Sequence, residues 1–166
     1  MLRPMRNGRA PFAQAAGRWS GEVSQSYPTF GRKLVVLHVD DDPMNLRVVE
    51  EILGAFGHRT IVASSGAEAL THLGNQLFDV VLMDIHMPGM SGIEAVERLR
   101  RSDSPARDLP VIALTADVMT RRRQDYLDLG FCDFVAKPIL VSGLMDAIKK
   151  AAEPAPAAAQ DLRRAG

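Results

Sequence analysis

Three short stretches of this chain, Leu34–Val39, Phe78–Met83 and Pro110–Leu114, are apolar almost without interruption. A strand with one face in water alternates polar and apolar residues. A continuously apolar strand needs cover on both faces, which means a parallel sheet between helices. The segments between these strands carry helix signals. Asp42 followed by Pro43 is a helix start, with a carboxylate cap and a proline at the first helical position. Leu46, Val49, Leu53 and Phe56 then share one helical face, and Gly57 closes the run. Thr60–Ala63 reads as a second strand. Ser65-Gly66-Ala67-Glu68 and Ser91-Gly92-Ile93-Glu94 are capping boxes, opening helices that run to about Gly74 and Arg101. A helix containing Arg121-Arg122-Arg123 is closed by Gly130, and Cys132–Val135 is a fifth strand. A last helix holds Leu144, Ile148 and Ala151. Strand and helix alternate five times, as in an α/β fold.

These signals occupy residues 33–152, one domain. Residues 1–32 are rich in Arg, Gly, Ser and Pro and show neither periodicity, so a flexible N-terminal arm is expected, with Trp19, Tyr27 and Phe30 as candidates for docking on the domain. Residues 153–166 read as a disordered Ala/Pro tail. Lys+Arg and Asp+Glu are 20 each, so no overall field points to nucleic acid or membrane. The single cysteine, Cys132, excludes a disulfide framework and reads as a small buried hydrophobe in a cytoplasmic protein. No stretch approaches the ~18 apolar residues of a membrane span.

The first polar residue after each apolar strand is the chemically informative one. Asp40 and Asp41 follow strand one, Asp84 strand three, Thr115 strand four and Lys137 strand five. In a doubly wound sheet, ligands bind beyond the carboxyl ends of the strands. Adjacent carboxylates raise one another's pKa values, and a hard divalent cation with oxygen ligands removes that repulsion. Mg²⁺ takes one or two protein carboxylates, waters and a phosphate oxygen. Lys137 adds a point charge, the Thr115 hydroxyl can donate to a phosphate oxygen, and the Asp84 carboxylate can act as a nucleophile towards phosphorus. Taken singly, each has a plainer reading: a turn aspartate, a strand-end hydroxyl, a solvated lysine. Asp42 reads as a helix cap, His38 as structural, and the arginine run as a solvated helix face.

The stretches LVVLHVDDDPMN, DVVLMDIHMPGMSGIEA, PVIALTAD and FVAKPI together resemble the receiver domain of two-component response regulators, over about residues 33–152. That resemblance implies a doubly wound, five-stranded parallel sheet of order 2-1-3-4-5, flavodoxin-like, with helices on both faces. It implies that Asp40, Asp41, Asp84 and the backbone carbonyl of His86 hold Mg²⁺, and that Asp84 accepts a phosphoryl group. The donor it implies is a histidine kinase or a histidine phosphotransfer protein. Thr115 and Lys137 contact the phosphoryl group, and the Lys137-Pro138 peptide is cis. Thr115 and Phe134, three residues before the lysine, form the switch that changes the surface of helix four, strand five and helix five. His86 and Asp117 flank the site, and Leu140 stands where a polar helix cap is usual.

The resemblance implies a signalling switch that assists its own phosphorylation and dephosphorylation, rather than an enzyme. The downstream protein is unknown, and neither direct DNA binding nor membrane insertion is expected. The initial methionine and the arm favour a stand-alone receiver over a hybrid-kinase piece. The alternative from another class is a Mg²⁺-dependent phosphohydrolase working through an aspartyl-phosphate. Such enzymes place a second aspartate two residues after the nucleophile, where this chain has His86.

Overall fold

The computed structural model describes residues 30–117 and 119–153. Strands β1 (Val35–Val39), β2 (Arg59–Ala63), β3 (Val80–Asp84), β4 (Val111–Thr115) and β5 (Asp133–Ala136) alternate with helices α1 (Pro43–Ala55), α2 (Gly66–Asn75), α3 (Gly92–Arg101), α4 (Arg123–Asp128) and α5 (Val141–Ala152). A 3-10 turn, Pro105–Asp108, precedes β4. All strand pairs are parallel and the sheet order is β2-β1-β3-β4-β5, as the resemblance implied. β3 and β4 are buried along their whole length, which is why their sequences lack alternation.

Alternate side chains on each strand feed two separate cores. One face packs Val36, Leu82, Ile112, Leu114 and Val135 against Val49 and Leu53 of α1 and Leu144, Met145 and Ile148 of α5. The other packs Leu37, Val39, Val81, Met83 and Ala113 against α2, α3 and Tyr126 of α4. Each fully buried Leu or Ile contributes about 1.5–3 kcal/mol relative to exposure, so both faces are tightly held.

The local signals hold with adjustments. The Asp42 side chain accepts from Met44 N at 2.8 Å, so it is the helix cap, and Gly57 leaves α1 at a φ of 80°, where glycine is favoured. Ser65 and Ser91 cap as expected, but neither box closes. The Glu68 carboxylate accepts from the backbone and hydroxyl of Ser64, one residue early, and Glu94 is taken by Arg98 at 2.6 Å. In the second case a charged donor one turn away outcompetes a neutral N–H. α2 passes Gly74 and ends at Asn75. α4 is only six residues long and begins at Arg123, leaving Arg121 and Arg122 outside it. α5 starts directly after Leu140 without a side-chain cap. Among the described residues no helix is long and apolar enough to cross a membrane.

Most of the expected arm and nearly all of the tail lie outside the described residues, as does Trp19. The described part of the arm contacts the domain. Phe30 stands edge-on to the His58 ring at 4.5 Å, and Arg32 pairs with Asp79 at 2.7 Å.

Candidate functional site at the carboxyl end of the sheet

Strand parity sorts the polar residues before any contact is considered. Asp40, Asp84 and Lys137 each fall one residue beyond a side chain of the α2/α3/α4 core or two beyond one of the α1/α5 core, so all three project on the α1/α5 side. Thr115 and Phe134 have the opposite parity, and Phe134 packs against the α2/α3/α4 core. The sheet order places β1 and β3 side by side, which brings Asp40 next to Asp84 although 44 positions separate them in the chain.

The contacts follow. Lys137 Nζ donates to Asp40 Oδ2 at 2.8 Å and pairs with Asp84 Oδ1 at 3.3 Å. Asp40, Asp41 and Asp84 each present a carboxylate oxygen within 4.8 Å of the others. Asp40 and Asp84 are buried, whereas Asp41 is exposed at the mouth. One ammonium faces three carboxylates, so two negative charges have no balancing cation within the cluster. An all-oxygen set with this excess negative charge suits a hard divalent cation such as Mg²⁺ and not a soft or nitrogen-seeking metal.

The protonation directions follow from the same geometry. Burial pushes the Asp84 carboxyl above the usual carboxylate range; Lys137 and the His86 N–H oppose this, and the Asp40 charge adds to it. Burial alone would lower the Lys137 pKa, but the hydrogen bond and charge of Asp40, with the charge of Asp84, raise it above the ordinary lysine value. The Lys137 ammonium is thus well satisfied by its partners, whereas the Asp84 carboxylate is not. His38, fully buried beneath the site, is pushed down to about 4 by burial, which outweighs the Asp40 charge, so it stays neutral and structural.

Thr115 is 1% exposed and folds back on its own loop. Its Oγ1 accepts from Asp117 N at 3.0 Å and donates to Asp117 O at 3.3 Å. Lys137 N donates to Thr115 O at 2.7 Å, tying the ends of β4 and β5, and the Lys137-Pro138 peptide is cis. His86 projects into solvent while its backbone N–H donates to Asp84 Oδ1 at 3.2 Å.

Two supporting residues were not legible from the motifs. Asn45 donates to both Asp40 oxygens at 3.2 Å, fixing that carboxylate. Its signal was its place one turn into α1, five residues after Asp40. Gly92 lies so close to the Asp84 carbonyl that a Cβ there would collide with it. Its N–H donates to Ile85 O at 3.0 Å, so the start of α3 braces the strand end that carries Asp84.

A doubly wound α/β domain takes its ligands in the crevice beyond the carboxyl ends of its strands, and here that crevice is acidic and bridged by one lysine, a setting that suits a cation. The chain matches the response regulator receiver domain family over residues 36–149 and belongs to it. It is 35% identical over 125 residues to the sensor protein GacS of Pseudomonas syringae pv. syringae, covering 74% of this chain and 14% of that protein. It is 33% identical over 117 residues to the sensor histidine kinase RcsC of Escherichia coli K12, covering 70% of this chain and 12% of that protein. The chain thus spans a small fraction of the curated relatives it matches. Among solved structures it resembles the receiver domain of the sensor histidine kinase PA1611 of Pseudomonas aeruginosa PAO1, which has a magnesium ion in its active-site cleft. The TM-score is 0.66 at 30% identity, over 73% of this chain and 98% of that one. It also resembles TrrA of Thermotoga maritima in complex with Mg²⁺ and BeF, with a TM-score of 0.63 at 31% identity, over 72% of this chain and 99% of that one. Receiver domains are signalling switches of two-component phosphorelays.

Proposed function

We propose that Asp84 accepts a phosphoryl group from a phosphohistidine on a histidine kinase or histidine phosphotransfer protein. The observation that carries this is the competition for Lys137. The ammonium sits closer to Asp40 than to Asp84, at 2.8 against 3.3 Å, so Asp84 is the buried carboxylate with oxygen left to react. An Asp84 oxygen attacks phosphorus, the O–P bond forms, the N–P bond breaks, and the imidazole of the donor keeps the electron pair. Asp40, Asp41, Asp84 and the His86 carbonyl are the residues that would hold Mg²⁺. When bound, the ion neutralises charge on the phosphoryl oxygens. Lys137 pairs with one of those oxygens, and the Thr115 hydroxyl donates to another.

Drawing Thr115 towards the phosphoryl group vacates space on the face it shares with Phe134, which shifts the α4–β5–α5 surface towards a downstream protein. The setting is cytoplasmic, with neither DNA nor membrane as a direct partner. The two relatives named above are a sensor protein and a sensor histidine kinase, which favours donors of the phosphorelay type.

The test is incubation with phosphoramidate, a small donor with the same N–P bond, in the presence and absence of Mg²⁺. One added phosphoryl group on the peptide containing Asp84, formed only with Mg²⁺, is expected. Label on another peptide defeats the reading, and continuous turnover of small phosphate esters would replace it with the phosphohydrolase alternative.

A further inference from the structure

α4 offers one buried residue to the core, Tyr126, and among the described residues it is the bulkiest fully buried side chain. A phenol in such a place needs a partner for its hydroxyl. Tyr126 Oη donates to Asp117 O at 3.2 Å, the same carbonyl oxygen that accepts the Thr115 hydroxyl at 3.3 Å. Both lone pairs of that carbonyl are therefore engaged. The ring itself stacks on Phe134, with centroids 5.1 Å apart and planes 22° apart, and meets Phe131 edge-on at 6.2 Å. One side chain thus touches the hydrogen-bond acceptor of Thr115 and the aromatic ring of β5.

Thr115 has a single hydroxyl proton. It can be donated to Asp117 O or to a phosphoryl oxygen, but not to both. Whatever fixes the Asp117 carbonyl in place favours the first. We propose that Tyr126 is a positioning residue for the switch: its hydroxyl anchors the Asp117 carbonyl that holds Thr115 back from the acidic cleft, and this anchor is released when Thr115 turns to a phosphoryl group. The inference rests on the reading of Asp84 and Thr115 as phosphoryl acceptor and phosphoryl contact.

Calorimetric titration with beryllium fluoride in Mg²⁺, a phosphoryl mimic, separates the two. Tyr126→Phe keeps the ring stack and removes only the anchor. It is expected to bind the mimic about five-fold more tightly than the unmutated chain, the size of one net hydrogen bond. In a Thr115→Val background, where no hydroxyl is held back, the same substitution is expected to change nothing. Unchanged or weaker binding by Tyr126→Phe, or equal tightening in both backgrounds, overturns the proposal. If the unmutated chain fails to bind the mimic at all, the reading of Asp84 fails and the proposal falls with it.

A second measurement avoids mutation of Tyr126. The chain has two tyrosines, so 3-fluorotyrosine labelling gives two fluorine resonances, assigned through Tyr27→Phe. The Tyr126 resonance is expected to shift with the binding curve of the mimic, and a Tyr126 resonance that stays fixed at saturation overturns the proposal.

Discussion

Asp79 and Asp84 stand five residues apart at the two ends of β3, and they live in opposite conditions. Asp79 Oδ2 accepts from Val35 N at 2.7 Å and Oδ1 pairs with Arg32 at 2.7 Å. Partial burial would raise its pKa, but the Arg32 hydrogen bond and the Val35 N–H outweigh it and hold the carboxyl below the usual range. Burial raises the Asp84 pKa; one backbone donor and a share of Lys137 oppose this without offsetting it, and the Asp40 charge, which competes for the same ammonium, adds to the rise. The first acid closes the amino end of the sheet; the second is kept short of donors at the carboxyl end. The same side chain is held charged where protein donors outweigh its burial and is pushed towards the neutral form where they do not.

The largest way to break this contrast is Asp84→Asn, which is expected to abolish labelling by a phosphohistidine donor, whereas Asp79→Asn keeps it. Autoradiography of both variants against the unmutated chain checks this, and retained label on Asp84→Asn would move the acceptor elsewhere.

Gly92→Ala comes next. A methyl group cannot share space with the Asp84 carbonyl and the Met83 side chain, so α3 must retreat from the strand end. A destabilisation of about 2–4 kcal/mol is expected, read by urea unfolding, together with slower labelling of Asp84. Unaltered stability would show that the brace is dispensable.

Asp79→Asn weakens the hydrogen bond from Val35 N and an ion pair with an exposed arginine, and is expected to lower stability modestly near neutral pH, read by urea unfolding. Because the folded pKa lies below 3.8, this contribution is complete above that value and is lost as pH falls through the lower, folded pKa. The stability gap between the two proteins should therefore be present at neutral pH and close in strong acid, below the folded pKa of Asp79. A gap independent of pH would remove the charge from the explanation.

The smallest effect has the opposite sign. Asp84 is raised above 3.8, so its charged form weakens the fold above the folded pKa, and that penalty fades as pH falls towards 3.8. Asp84→Asn should thus melt at a higher temperature than the unmutated chain at neutral pH without Mg²⁺, read by thermal unfolding. The advantage should vanish in acid. A lower melting temperature would mean that Lys137 stabilises Asp84 more than burial penalises it.

The sequence by itself determined the α/β alternation, the position of the helix cap at Asp42, and that Asp40, Asp41, Asp84, Thr115 and Lys137 fall at the carboxyl ends of their strands. These were legible because a covered parallel strand must be apolar throughout, so the first polar side chain marks its end. Even there the boundary moved by one: Asp84 and Thr115 are the last residues of their strands, held in register with Leu114 and Ala136. Tertiary structure alone decided which acid Lys137 prefers, that Asn45 steadies Asp40, that Gly92 must lack a side chain, and that Tyr126 and Thr115 share one carbonyl. Each of these depends on which segments the sheet order and helix packing bring together. Hydrophobic periodicity encodes burial and leaves the pairing of polar atoms to distances that exist only after the chain has folded.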